Sequence, residues 1–194
     1  MNSDDHELIA GVASRDPEAF RALMERHASG VINLAYRFLG TVADAEDVAQ
    51  DVFFRLYQHP PRLSPSGKLF TWLYRVTVNR CLDLLRQRPA GGKLLSLDEP
   101  PAGGEESERP LAEKLAAPAG SSARDQAVQA EMVTLTRRAI AALPVPLRLP
   151  LILSTFEELS HEEIGQILGL SPKAVERRLA RARELLKQRL APHL

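Results

Sequence analysis

The sequence predicts an all-α protein: two small helical domains joined by a flexible linker, the second ending in a helix-turn-helix. Three observations carry this. Apolar residues recur at i, i+3, i+4 and i+7 through both ends of the chain, and no segment shows the strict alternation of a half-buried strand. Residues 89–123 contain 14 Pro, Gly or Ser in 35 positions, too little apolar side chain to offset the entropy of ordering the backbone. The boundaries follow as 1–88, 89–123 and 124–194. A length of 194 residues suits two such domains.

The elements are justified in order. Asp16 is a capping residue, Pro17 suits a first helical position and Glu18 favours the positive end of the helix dipole. Phe20, Leu23, Met24, His27, Val31, Leu34, Ala35 and Phe38 then follow the helical period, and Gly40 stops it. A second helix is expected from Ala43 to Gln58 with Val48, Val52, Phe53 and Leu56 inward, ended by Pro60 and Pro61. A third runs from about Gly67 to Gln87. In the C-terminal part, residues 124–143 are amphipathic through Val128, Met132, Leu135 and Ala139, with Pro144 and Pro146 ending them. A short helix over 147–157 contains Pro150, which has no amide proton, so a later start is expected. Ser160 and Glu163 form a capping-box pair. Gly169 turns the chain, Ser171 caps and Pro172 starts a final helix whose apolar stripe is Val175, Leu179, Ala182, Leu186 and Leu190. Helix, Gly-containing turn, helix is an arrangement that offers its second helix to a major groove.

Charge is balanced overall, 25 basic against 25 acidic, but is distributed in blocks. Residues 61–93 carry seven basic and one acidic residue, and 132–194 carry ten and six, while 1–60 and 94–131 are acidic. Two basic blocks suggest two contacts with a polyanion, although solvated helix faces account for charge alone. The last helix holds Lys173, Arg177, Arg178, Arg181, Arg183, Lys187 and Arg189 against Glu176 and Glu184. With one apolar and one basic side it meets the needs of phosphate neutralisation and base-edge hydrogen bonding. Glu176, about one turn into that helix, either accepts from a cytosine amino group or pairs with Lys173 or Arg177 on the surface. Six of the ten aromatic residues lie between positions 53 and 74, beside Lys68, Arg75 and Arg80. Such rings either stack unpaired bases or fill a small core, and core is the better account of Phe53 and Phe70. Arg75, Asn79, Asp83 and Arg86 make a polar stripe; an Asn can bond bidentately to a base edge, but Asn79 read alone is better accounted for as a surface residue.

Other classes are disfavoured. A single cysteine, Cys81, allows neither an intrachain disulfide nor a Cys-cluster metal site, and its apolar face suits buried filler. The five histidines are scattered, and His161-Glu-Glu-Ile-Gly165 misses H-E-x-x-H at its last position. No phosphate-binding glycine loop occurs. No metal, cofactor or catalytic residue is expected. The N-terminus is acidic where a secretory signal is basic, and the longest apolar run is far short of the roughly 20 residues of a membrane span. A cytoplasmic protein without membrane insertion is expected.

Asp44-Ala-Glu-Asp-Val-Ala-Gln-Asp-Val-Phe-Phe-Arg-Leu56 and Phe70-Thr-Trp-Leu-Tyr-Arg-Val-Thr-Val-Asn-Arg80 resemble region 2 of bacterial sigma-70 factors of the extracytoplasmic function group. Leu143-Pro through Leu159-Ser-His-Glu-Glu-Ile-Gly165, followed by Leu170-Ser through Leu186, resembles region 4. The resemblance implies a subunit that binds core RNA polymerase and directs it to promoter DNA, with no catalysis of its own. By position in the motif, Asp44, Glu46, Asp47, Gln50 and Asp51 are implied to face the polymerase clamp. Arg75, Val76 and Asn79, flanked by Lys68, Trp72 and Arg80, are implied to approach the −10 element. Ser171, Lys173, Glu176, Arg177, Arg178 and Arg181 are implied to meet the −35 element as duplex. An anti-sigma factor is an implied partner. Three departures stand out: Leu63 where an aromatic residue often captures a flipped −10 base, Lys173-Ala-Val where Gly-Thr-Val is common, and Glu158 where a glycine is common. The competing reading, a stand-alone helix-turn-helix regulator, accounts for 124–194 but not for an acidic helix joined to an aromatic and basic one.

Overall fold

A computed structural model describes residues 2–64, 67–87 and 123–193. Every regular element among them is helical: α1 Asn2–Ala13, α2 Pro17–Leu39, α3 Val42–Gln58, α4 Leu69–Gln87, α5 Ala123–Ala141, α6 Val145–Thr155, α7 His161–Leu168 and α8 Pro172–Leu190. The expected linker lies outside the described residues except at Ala123, which opens α5.

The helix ends fall where local chemistry puts them. Asp16 Oδ1 accepts from the Glu18 amide at 2.9 Å, Pro17 sits in the first turn, and Gly40 closes α2 at φ 88°. Thr41 caps α3. Of the apolar face expected on α2, Leu23, Val31, Leu34, Ala35 and Phe38 are buried. Met24 is not: it is 38% exposed, because one residue beyond Leu23 lies about 100° further round a helix. On α3, Val48, Val52, Phe53 and Leu56 are all buried, as their spacing requires.

Two elements depart from expectation. α1 was not anticipated. Among its described side chains it buries only Ile9 and Val12, so it has little apolar period, and it packs on α2 through Gly11 and Ala19. α6 starts earlier than the prolines suggested. Pro146 occupies a first-turn position, where no amide proton is needed, and the amides of Leu147 and Arg148 bond to the Pro144 carbonyl at 2.9 and 3.0 Å. Pro150 stays inside the helix because Leu149 through Leu153 are buried together, and that apolar burial outweighs one missing hydrogen bond.

α2 packs against α1, α3 and α4, and α8 against α5, α6 and α7. The two groups also touch, α6 lying on α2 and α7 on α4.

Candidate nucleic-acid interface

The helix-turn-helix is built by α7, a tight turn and α8. Ser160 Oγ accepts from the Glu163 amide at 3.2 Å, and the Ser160 amide donates to Glu163 Oε2 at 3.0 Å. Both halves of the capping box are therefore present. Gly169 turns at φ 67°, a conformation that costs most other residues about 1–2 kcal/mol. Gly165, which spoils the H-E-x-x-H pattern, has a structural purpose: its carbonyl accepts from Leu170 N at 2.9 Å, and a Cβ there would lie 2.6 Å from the Leu170 carbonyl oxygen. Ser171 Oγ accepts from the Ala174 amide at 3.2 Å and opens α8.

On α8, Val175, Leu179 and Ala182 are buried, and this fixes the helix's orientation. Lys173, Glu176, Arg177 and Arg181 are exposed beside Ser171, while Arg178 is half-buried. Glu176 has no ion-pair partner among the described residues; the surface pairs with Lys173 or Arg177 do not form. Lys173 thus stands in the first turn of α8, next to Ala174, with its charge free to face a phosphate.

α4 presents the second surface. Leu69, Leu73, Thr77, Val78 and Cys81 are buried, with burial pushing the Cys81 thiol up to about 12. Arg75 and Asn79 are exposed, whereas Trp72 and Val76 are half-buried and rest partly on the core. Phe53 is core and Phe70 packs edge-on to Tyr74 with ring centroids 5.9 Å apart. Lys68 Nζ bonds to Glu163 Oε1 at 2.7 Å, and Arg75 donates to the Gln166 carbonyl. The Lys68 contact, with the Ser160 amide second, holds the Glu163 carboxyl below its ordinary value. Leu63 lines an open cleft of about 560 Å³ between α1 and the loop before α4, together with Arg15, Arg62 and His6.

α3 carries the acidic face. Glu46, Asp47, Gln50 and Asp51 are exposed on one side of the helix. Asp44 differs from them: it is half-buried, and its carboxylate turns back to the capping hydroxyl of Thr41. Asp51 Oδ2 meets Arg80 Nε at 2.6 Å, so the acidic face and the basic helix adjoin. The same face holds Phe54, 61% exposed, a residue that sequence reasoning left unassigned. Its signal was its place one turn after Gln50 and Asp51, outside the buried period of its own helix.

Comparison with known proteins decides what these surfaces belong to. Residues 23–89 match the family model for Sigma-70 region 2, and residues 134–186 that for Sigma-70, region 4. The ECF RNA polymerase sigma factor SigW of Bacillus subtilis is 32% identical over 94% of this chain and 94% of its own length. The chain belongs to the ECF sigma factors. It directs promoter-specific transcription initiation, with region 2 spanning α2–α4 and region 4 reaching from α5 into α8. The ECF RNA polymerase sigma-E factor of Escherichia coli K12 is 28% identical over 97% of the chain and 95% of its own. Among solved structures, CnrH in complex with the cytosolic domain of CnrY superposes with a TM-score of 0.66 at 25% identity, covering 97% of this chain and 98% of that one. RpoE in complex with the anti-sigma factor NepR from Bartonella quintana agrees in fold, with a TM-score of 0.60 at 19% identity over 89% and 96%. In this sigma factor Glu158, in the turn before α7, has φ 54°, the left-handed conformation that favours glycine.

Proposed function

We propose that this sigma factor divides its work among three surfaces. The α3 face of Glu46, Asp47, Gln50 and Asp51, begun by Asp44, docks on core RNA polymerase, and Phe54 is its apolar anchor. An exposed aromatic ring within a charged rim is the usual composition of a binding hot spot. The α4 face reads the −10 element. Arg75 and Asn79 supply hydrogen bonds, Val76 and Trp72 apolar contact, and Lys68 and Arg80 charge for the backbone. The α8 face reads the −35 duplex. Its first two turns, from Ser171 to Arg177, enter the groove; Arg178 and Arg181 hold the phosphates, and Glu176 accepts from a base amino group.

The observation that carries this reading is the segregation of one acidic exposed stripe, on α3, from two basic exposed stripes, on α4 and α8. A polyanion repels the first and attracts the others, so the first suits a protein partner. The chemistry of RNA synthesis belongs to the polymerase, and the chain works in the cytoplasm without a catalytic group or cofactor of its own. An anti-sigma factor is a fitting regulator, since the RpoE of like fold was solved with one and CnrH with the cytosolic domain of CnrY.

The test is reconstitution. Core polymerase plus the chain should form a holoenzyme and start transcripts from a subset of a promoter library. Glu46→Lys with Asp47→Lys should abolish the holoenzyme and leave the melting temperature unchanged. Normal holoenzyme formation by that double variant would remove the α3 face from the docking surface.

A further inference from the structure

α1 lies outside residues 23–89, the stretch that matches region 2, and carries none of the three surfaces above. Its two ends nevertheless reach the chain that joins α3 to α4. Near its start, His6 Nε2 meets the Gly67 carbonyl oxygen at 3.1 Å. A carbonyl only accepts, so Nε2 carries the proton there. Just past its end, Arg15 Nη1 donates to the Tyr57 carbonyl at 2.8 Å, and the guanidinium lies 4.8 Å from the centroid of the Tyr57 ring. Phe20 of α2 meets the same ring edge-on, with centroids 5.2 Å apart.

Both anchor points sit at helix ends. Tyr57 is the last residue but one of α3, so its carbonyl has no amide to accept from one turn further along the helix. A cation there also faces the negative end of the helix dipole. Gly67 stands two residues before α4 and closes a tight turn, its amide donating to the Ser64 carbonyl at 2.8 Å. Between the loop and α1 lies the open cleft of about 560 Å³, with Pro61 and Leu63 on one side and Ile9 and Ala13 on the other. Apolar packing therefore does not fill the space between them, and the two polar anchors tie the loop to α1.

Arg15 carries an independent sign. It has φ 65°, a left-handed conformation uncommon for a residue with a side chain, and one that glycine adopts without strain. The turn's own bonds, Arg15 N to the Val12 carbonyl and Asp16 N to the Gly11 carbonyl, both 3.0 Å, need only a backbone at this position. What glycine lacks is the guanidinium. Strain of this kind, held by the surrounding structure, points to a use for the side chain.

We propose that His6 and Arg15 are positioning residues for −10 recognition: they brace the α3–α4 loop at both ends from outside the matched region, and they touch no DNA themselves. This rests on the assignment of α4 to the −10 element. Lys68 follows Gly67 directly and Trp72 lies about one turn further on, so the brace fixes the loop-side edge of the −10 surface. Asn79, deeper in α4, is held instead by the packing of that helix on α2 and α3.

The experiment uses the full chain with core polymerase on a promoter library randomised in the −10 and −35 elements. His6→Ala and Arg15→Gly should each flatten preference at −10 positions other than the one Asn79 reads, by about two- to ten-fold, the effect of one lost hydrogen bond. The −35 profile and core affinity should match the parent. His6→Gln, whose side-chain amide can donate in place of the ring Nε2, should restore the parent profile. In the free chain, amide hydrogen exchange between Pro61 and Lys68 should quicken in His6→Ala and Arg15→Gly, stay slow in His6→Gln, and remain unchanged in the buried parts of α2 and α3. Glycine suits the backbone at position 15, so Arg15→Gly should fold; if its melt shows otherwise, the His6→Ala and His6→Gln pair decides. Parent-like −10 profiles in His6→Ala and Arg15→Gly, alongside a shifted profile for Asn79→Ala, would overturn the brace and leave the −10 assignment standing. A uniform loss over all sequences with a shallower salt dependence would make Arg15 a phosphate contact and overturn it too. An unchanged −10 profile in Asn79→Ala as well would place the fault in the assignment of α4, and the brace would fall with it.

Discussion

Gly165 and Leu170 lie so close that a single added methyl group on Gly165 would sit 2.6 Å from the Leu170 carbonyl oxygen. That contact sets the angle between α7 and α8, and so the way α8 is presented. Gly165→Ala forces backbone against side chain, an overpacking that costs about 1–3 kcal/mol. The C-terminal half should melt several degrees lower, and −35 recognition should weaken with it. Gly169→Ala should cost about 1–2 kcal/mol through its backbone angle alone, since nothing lies within 4 Å of the added atom. Thermal melts of the two variants check this; an unchanged melt for Gly165→Ala would show that the turn tolerates a side chain.

Phe54→Ala separates docking from folding. The ring is mostly exposed, so its removal should leave the melting temperature within about a degree. If it is buried against core polymerase, the loss is about 1.5–3 kcal/mol, or roughly ten- to a hundred-fold in affinity. Titration of labelled core polymerase measures it, and an unchanged dissociation constant would return Phe54 to the solvent-exposed surface.

Acid should loosen the junction of α4 and α7. The Glu163 carboxyl is held below its ordinary value, first by the Lys68 hydrogen bond and then by the Ser160 amide. A carboxyl with a lowered folded value contributes stability above its unfolded value, and loses it as pH falls through the folded one. The contribution is therefore present at neutral pH and disappears on the acid side of roughly 4. Glu163→Gln should flatten the acid limb of stability between about pH 6 and 3. Parallel acid limbs in denaturant titrations would contradict the assignment.

Much of this was legible because it is local. Asp16 with Pro17, Ser160 with Glu163 and Ser171 with Pro172 each fix a helix start within four residues, and all three caps are in place. Glu158 was marked as standing where glycine is common, and its positive φ explains why. α1 was missed since it offers too few buried positions to give a period. Phe54 has no role legible in the sequence, because spacing separates inward from outward but does not name what covers an outward ring. Asp44 was grouped with the outward acids by motif position, though its proximity to Thr41 makes it part of the cap. The His6–Gly67 and Arg15–Tyr57 contacts had no local signal at all: their members are 61 and 42 residues apart, and only the packing of α1 and α3 on α2 brings them together.

The central claim is that one chain carries two separate base readers, Asn79 on α4 and Glu176 on α8. The direct measurement is a promoter library randomised in both elements, transcribed by holoenzyme containing the parent, Asn79→Ala or Glu176→Gln. Asn79→Ala should relax preference at one −10 position by about 1–3 kcal/mol, leaving the −35 profile intact. Glu176→Gln should shift preference at one −35 position and leave the −10 profile intact. Uniform changes across all positions, or a change in the same element for both variants, would contradict the account.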